Sequence, residues 1–442
     1  MAKYEKYAEY KDSGVNYFGE IPSDWKVLNL RYVFDFLNEK RFPLSALERE
    51  SKKGIYPYYG ASGIIDYVDE YLLDEETILI AEDGANLLSR STPLAFIAKG
   101  KYWVNNHAHI LKPKNLLFNF WTYFLQSLDY TIYITGSAQP KLSREKLGEV
   151  IVLYPSLEEQ TQIANFLDHE TAKIDSLIEK QQQLIQLLKE KRQAVISHAV
   201  TKGLNSNVSM KDSGVEWLGE VPEHWELVPL KYLCTFSGGG TPSKDNLNYW
   251  TDGDIPWVSP KDMKTFWIKE TQDYITEKAI KESSTNMVEP NSLLMVVRSG
   301  ILQRTIPIAI NKVPVTMNQD MKALKFGNRV LVEYIADLIH GNTSELLLEW
   351  SKEGATVESI EHEYLANSIV PVPPIEEQQS ITTLVAKKMG VYRELTCKAE
   401  SQIFLLQERR TALISAAVTG KIDVRNWQNP NNNNEAKMEF SA

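Results

Sequence analysis

PSLEEQTQI at Pro155–Ile163 and PPIEEQQSI at Pro373–Ile381 are the same phrase written twice, 218 residues apart. Each opens a stretch with the signature of a long helix. Between Leu157 and Val200 there is no Gly or Pro, and apolar residues fall at alternating three- and four-residue spacings: Ile163, Leu167, Ile174, Leu177, Leu184, Leu188, Val195. The second copy places Ile381, Val385, Tyr392, Leu395, Leu406 and Leu413 at matching offsets. Ser156 is set to cap the first helix with Glu159 answering as a capping box, and Pro374 suits the first turn of the second. Both helices are predicted to stop at a glycine, Gly203 and Gly420. No gap intervenes, because EKRQAVISHAVT (Glu190–Thr201) and ERRTALISAAVT (Glu408–Thr419) keep the 218-residue offset with eight of twelve positions identical. Some 44 residues at 1.5 Å each make a rod of about 65 Å. Glu170, Gln181 and Lys191 interrupt the first stripe, and Lys388, Ala399 and Arg409 the second. The two rods are therefore expected to cover each other as an antiparallel coiled coil.

The same duplication shows at the start of each half. KDSGVNYFGEIPSDW (Lys11–Trp25) returns as KDSGVEWLGEVPEHW (Lys211–Trp225), with nine of fifteen positions kept. Unrelated sequence would keep about one, so a duplicated module is the economical reading. These straps carry apolar residues, Val15, Phe18, Ile21 and Trp25 with Val215, Leu218, Val221 and Trp225, suited to fastening a domain to the end of a rod.

Between strap and helix, residues 27–150 and 227–368 are rich in Tyr, Trp, Val, Ile and Thr and are punctuated by turns such as YGASG (Tyr59–Gly63) and SGGGTPS (Ser237–Ser243). Such composition predicts mixed structure with substantial strand. The two middles are weakly alike: ILIAEDGAN (Ile78–Asn86) can be laid on LMVVRSGIL (Leu294–Leu302), and NNHAHIL (Asn105–Leu111) on NQDMKAL (Asn318–Leu324). The framework is shared while the loops have diverged.

Length and composition bound the function. A chain of 442 residues suits several domains, and no apolar run approaches a membrane span or a signal peptide, so a cytoplasmic location is expected. Cys234 and Cys397 are isolated, which gives neither a disulfide framework nor a zinc site. His107 and His109 stand two apart without a third ligand at convincing spacing, so no metal is expected. The glycine run lacks the lysine of a phosphate loop, and no motif of a nucleotide-binding or methyltransferase fold appears. A net charge of −10 opposes nucleic-acid binding by the surface as a whole, although one face or a basic partner can supply the electrostatics.

What remains is a set of forked polar side chains placed alike in the two halves but different in identity. In the first half these are Asp83, Asn86 and Arg90 around Gly84, then Asn105, Asn106 and His107. In the second they are Arg298, Ser299, Gln303 and Arg304 around Gly300, then Asn318 and Gln319, with Thr241, Ser243 and Lys261 on nearby turns. Arg, Asn and Gln can each pair two atoms of one base edge, so the set reads as two readers of different text.

The strap GEVPEHWE (Gly219–Glu226), the GGTPS turn (Gly239–Ser243), the Pro-x-x-Glu-Glu-Gln helix starts and the ending AVTGKIDVR (Ala417–Arg425) together resemble the specificity subunit of a type I restriction-modification system, over nearly the whole chain. The resemblance implies an α+β fold. Two pseudo-repeated mixed α/β target-recognition domains (1–155 and 204–372) would be separated by two long antiparallel coiled-coil helices (156–203 and 373–424). A disordered tail (425–442) would follow. It also implies a non-catalytic DNA reader, each domain binding half of a bipartite asymmetric site in double-stranded DNA while the helices span the unread spacer. Two methyltransferase subunits using S-adenosylmethionine would dock on the scaffold, for which Trp25, Trp225, Glu159, Gln160, Glu377, Gln378, Arg192 and Arg410 are the candidate residues. Two restriction subunits using ATP and Mg are further expected partners, and this chain itself would hold no cofactor. A two-domain coiled-coil scaffold for protein partners, and a stand-alone nuclease or methyltransferase, are the competing readings.

Overall fold

The computed structural model describes residues 4–136, 139–351 and 359–430. The chain forms two compact units, one made of residues 1–181 with 401–442 and the other of residues 182–400. The division falls inside both long helices, Leu157–Lys202 and Ile375–Val418, and so differs from a division at the helix ends.

In the first unit the strands are β1 (Phe34–Phe36), β2 (Lys53–Gly60), β3 (Gly63–Val68), β4 (Leu73–Asp74), β5 (Thr77–Ala81), β6 (Ala95–Ala98), β7 (Lys101–Val104) and β8 (Ala108–Pro113). They make one antiparallel sheet in the order β1-β8-β5-β6 and a second in the order β3-β2-β7-β4, with β2 and β7 parallel. The continuous apolar run of β5 is buried along its whole length, as an interior strand covered on both faces requires. In the second unit β9 (Cys234–Gly238), β10 (Ile255–Val258), β11 (Trp267–Ile268), β12 (Asp273–Ile275), β13 (Leu293–Val296), β14 (Ile308–Asn311), β15 (Thr316–Met317) and β16 (Met321–Phe326) repeat the plan. The main sheet runs β9-β16-β13-β14-β11 and the small one β12-β10-β15, with β10 and β15 parallel as β2 and β7 are. The first four strands of each main sheet thus correspond in order, and the short β11 is an addition at one edge.

Each strap is a two-stranded hairpin, with Lys11 opposite Ile21 in one and Lys211 opposite Val221 in the other. Its tryptophan, Trp25 or Trp225, is 1 % exposed and packs on a helix C-terminus. In the first unit the end of the second long helix is clasped by Lys421, whose Nζ donates to the carbonyls of Phe18 at 3.0 Å and Glu20 at 2.7 Å. In the second unit Lys202 plays that part, reaching the carbonyls of Leu218 at 3.0 Å and of Glu220. Gly203 and Gly420 both adopt left-handed conformations just past their helices, the stop expected of them.

Within the first unit the helices run antiparallel: Asp175 pairs with Arg410 at 2.9 Å, Gln162 reaches the carbonyl of Trp427, and Ile163, Phe166, Leu167 and Ile174 share a core with Leu413, Ile414, Ala417 and Val418. The second unit repeats this with Ile196, Ala199 and Val200 beside Ile381 and Val385. The apolar stripe is not buried evenly, since Leu177, Leu184 and Leu395 remain more than 40 % exposed. Burial concentrates where the helix ends enter the domains.

Two local expectations are altered. Ser156 does cap Glu159, its Oγ accepting from that amide at 3.2 Å, but the Glu159 carboxylate takes the Tyr7 hydroxyl at 2.6 Å, so the helix start is fastened to the chain N-terminal to the strap. The first residues assigned to the tail are packed: Arg425 pairs with Asp423 at 2.7 Å over the Tyr7 ring, and Trp427 stacks edgewise on Phe166 at 5.6 Å. The tail from residue 431 lies outside the described residues.

Candidate nucleic-acid interface

One end of each main sheet gathers the loops that carry the divergent polar residues. In the second unit the C-terminal ends of β9, β10 and β13 meet the turn between β15 and β16. Gly240 N donates to Met317 O at 2.8 Å, Asn318 N to Val258 O at 3.0 Å, and the amides of Val297 and Arg298 to Asp320 O at 2.8 and 3.3 Å. A Cβ on Gly239 would lie 1.8 Å from the Asn318 carbonyl, so part of the glycine run serves close backbone approach. On this rim the Thr241 hydroxyl contacts the Gln319 side chain. Asn318 is 7 % exposed and holds the Asp320 amide at 3.1 Å, which makes it a shaper of the turn. Ser299 likewise caps Ile301 through its Oγ at 3.4 Å. Arg298, Gln303, Arg304 and Gln319 are exposed there, as is Lys261 on the turn after β10. Ser243 is exposed too, with its carbonyl accepting from Trp250 Nε1 at 3.1 Å.

The first unit builds the matching rim from β2, β5 and the turn between β7 and β8. Asn105 N donates to Tyr59 O at 3.0 Å and Glu82 N to His107 O at 2.9 Å. Asn105 is 5 % exposed, its Oδ1 taking the His107 amide at 2.8 Å. Asn106 and His107 are exposed, and the His107 ring meets the Asp83 carboxylate at 2.9 Å. Asn86 and Arg90 are not brought to this turn. Asn86 closes its own loop through Thr92 N at 3.0 Å and Ser91 Oγ at 3.1 Å, while Arg90, at φ 50°, donates to the Leu128 carbonyl. The Asn86 amide is spent within its own loop, and Arg90, although exposed, is tied to a carbonyl outside the turn.

Beneath the first rim lies a charged network absent from the sequence reading. Arg41 pairs with Glu82 and donates to the carbonyls of Ala108 at 3.1 Å and Asn106 at 3.3 Å; Lys141 stands 3.3 Å and His109 3.6 Å from the same carboxylate. Burial raises the Glu82 pKa, but its hydrogen bond from Arg41 and the surrounding cations outweigh this and hold it below the usual range. His109 is fully buried, which lowers its pKa, and its Nε2 lies 2.7 Å from Leu142 O. Because His107 is in the turn and His109 in β8, they do not share a face. Among the described residues no group of His, Cys, Asp and Glu is arranged to hold a metal.

The scaffold candidates are mostly internal. Gln160 and Gln378 are fully buried, each donating to a proline carbonyl at its helix start, Pro155 at 2.9 Å and Pro373 at 2.8 Å. They also fasten the domain: Gln160 accepts from Asn115 at 2.8 Å, and Gln378 accepts from Leu331 N at 2.9 Å. Glu377 takes His224 at 2.9 Å and Trp225 Nε1 at 3.1 Å. Arg410 is committed to Asp175, whereas Arg192 is exposed.

A family model described as the type I restriction modification DNA specificity domain matches residues 22–187 and again 222–387. The EcoR124I/EcoR124II type I restriction enzyme specificity subunit of Escherichia coli is 39 % identical over 46 % of this chain and 48 % of its own length. A putative type I specificity subunit of Haemophilus influenzae, S.HindORF215P, is 27 % identical over 82 % of this chain and 87 % of its own. Among solved structures, a chain from a study of assembly and conformational transition of the type I R-M system matches at a TM-score of 0.65 and 13 % identity, covering 90 % of this chain and 98 % of that one. The HsdS subunit of Thermoanaerobacter tengcongensis matches at 0.50 and 12 % identity, over 91 % of this chain and 98 % of its own. Both structural matches speak for the fold alone. No helix among the described residues is long and apolar enough to cross a membrane.

Proposed function

The chain belongs to the type I restriction-modification DNA specificity family, and from that membership we propose that it is the sequence-reading subunit of such a complex, each domain reading one half of a bipartite asymmetric site. One observation carries the reading beyond family membership: two sheets of corresponding strand order present corresponding turns, each shaped by a buried asparagine, Asn105 or Asn318, whose rims bear different polar sets, Asp83, Asn106 and His107 on one, Arg298 and Gln319 on the other. A scaffold for protein partners alone is not favoured, since it would not call for matched rims of unlike hydrogen-bonding character. The long helices set the unread spacer. Two methyltransferase subunits dock on the duplicated frame and bring S-adenosylmethionine, and two restriction subunits bring ATP and Mg; this chain contributes recognition and no catalytic group.

The test is duplex binding by the chain together with its methyltransferase partner, on DNA carrying the methylated motif mapped in the host genome. Specific affinity that falls steeply with salt is expected. Equal affinity for all sequences, or cleavage or methylation by this chain alone, overturns the proposal.

A further inference from the structure

The first rim has an apolar neighbour for which neither the core nor the polar reading set accounts. Its source is a register irregularity. In the β2–β3 hairpin Tyr58 lies opposite Asp66 and Tyr59 opposite Ile64, so Ile65 is an extra residue with no partner on β2. A regular strand would send adjacent side chains to opposite faces, whereas a bulge re-aims one of them. Here both adjacent isoleucines are solvent-facing, Ile64 at 48 % and Ile65 at 53 % exposure.

The position of Ile65 is held. Gly60 gives Ile65 its seat, because a Cβ there would lie 2.3 Å from Ile65 Cδ1 and 3.3 Å from Asn105 Nδ2. Ile65 and the turn Asn105–His107 therefore flank one glycine, and the Asn105 amide is tied to Tyr59 O at 3.0 Å. The residues joining the strands, Ala61 and Ser62, are small, and the charge next to Ile65, Asp66, is engaged by Arg49 at 3.3 Å. The corresponding turn of the second domain, after β10, presents the exposed Lys261 instead.

Two adjacent, exposed, β-branched apolar side chains, one of them seated beside the polar turn, match one feature of a DNA major groove, the 5-methyl group of thymine. We propose that Ile64 and Ile65 are specificity-determining residues of the first domain, reading thymine methyl groups in the half-site it binds. This rests on the first rim being a DNA-reading surface. The polar turn would select hydrogen-bonding edges, and the isoleucine pair would separate thymine from the other bases at a neighbouring position.

The experiment replaces each thymine of the bipartite site, one at a time, with deoxyuridine, which removes only the methyl group. Binding is measured for the complex of this chain with its methyltransferase partner. In one half-site at least one replacement is expected to weaken binding about fourfold, the loss of one buried methyl. The Ile64→Ala, Ile65→Ala double variant is expected to lose that penalty while its response across the other half-site stays unchanged, which also reports that it is folded. Ile65→Val is expected to retain part of the penalty. Indifference of the wild type to every deoxyuridine while the half-site is still read specifically, or a penalty that persists in the double variant, overturns the inference and leaves the functional reading standing. Loss of all sequence preference in the wild type overturns both.

Discussion

Arg298 and Arg90 show why residue type alone does not place a side chain on a rim. Both are exposed arginines near a glycine at the end of a central strand, yet Arg298 stands on its rim while Arg90 donates to the Leu128 carbonyl, away from the turn. Arg298→Ala is therefore expected to relax discrimination in the second half-site alone, by about 1–3 kcal/mol if the contact is bidentate. Binding measured against single-base variants of both half-sites checks this, and a uniform loss would reassign Arg298 to phosphate. Arg90→Ala should instead lower stability by about 1–2 kcal/mol, read from urea unfolding, with half-site preference kept. The amides of Asn86 and Asn105, suited by type to pairing a base edge, are both local fasteners. The network of Arg41, Glu82, His109 and Lys141 was invisible for the opposite reason: its members lie up to 100 residues apart in sequence, and nothing local announces that β1, β5 and β8 bring them together.

At the scale of elements, more of the fold was legible. The two long helices, their stops at Gly203 and Gly420 and the strand-rich middles follow from periodicity and punctuation, which are local properties. Uneven burial of the stripe was not legible, because it depends on where the domains grip the helices. The two glycine stops differ in a testable way. A Cβ at Gly420 would lie 2.4 Å from Pro22 Cδ, whereas at Gly203 the nearest atoms, Glu377 Oε1 and Trp225 Cζ2, stand at 3.1 and 3.2 Å. Both positions have positive φ, so each alanine costs about 1 kcal/mol or more, but Gly420→Ala should cost distinctly more than Gly203→Ala in thermal unfolding. The helix Val332–Gly341 of the second unit carries opposed titrations. Burial, with Glu333 adding, pushes Asp337 up to about 7; burial, with Arg192 adding, pushes His340 down to about 4. Asp337 binds its proton more tightly folded than unfolded, so its contribution is full only below the unfolded value of 3.8 and is lost as pH rises to about 7, by at most roughly 1.4 kcal/mol per pH unit. His340 has the reverse sign, and its contribution is lost as pH falls from about 6.5 through 4. Asp337→Asn should therefore gain stability relative to wild type between pH 5 and pH 8, measured by urea midpoints at each pH. An unchanged difference at the two pH values would show that the carboxyl is ionised throughout.

For the whole molecule the decisive feature is that each compact unit takes half of both long helices. Inserting one helical turn near Gln183 and another near Glu400 leaves both rims untouched and should lengthen the unread spacer while preserving both half-sites. Mapping methylated adenines in cells carrying that variant checks it, and an unchanged spacer would show that the helices are not the ruler. The paired clasps have a different consequence, in time rather than space. Lys202 closes on carbonyls 16 and 18 residues further along the chain, whereas Lys421 closes on carbonyls 403 and 401 residues back. The second unit is one continuous segment, but the first also needs residues from 401 onward. During synthesis from the N-terminus, the strap that emerges first must wait for the last helix to leave the ribosome, with Trp25 lacking its cover until Gly420 arrives. The half of the protein that begins first is the half that finishes last, and its exposed strap is where chaperone dependence and misassembly should concentrate.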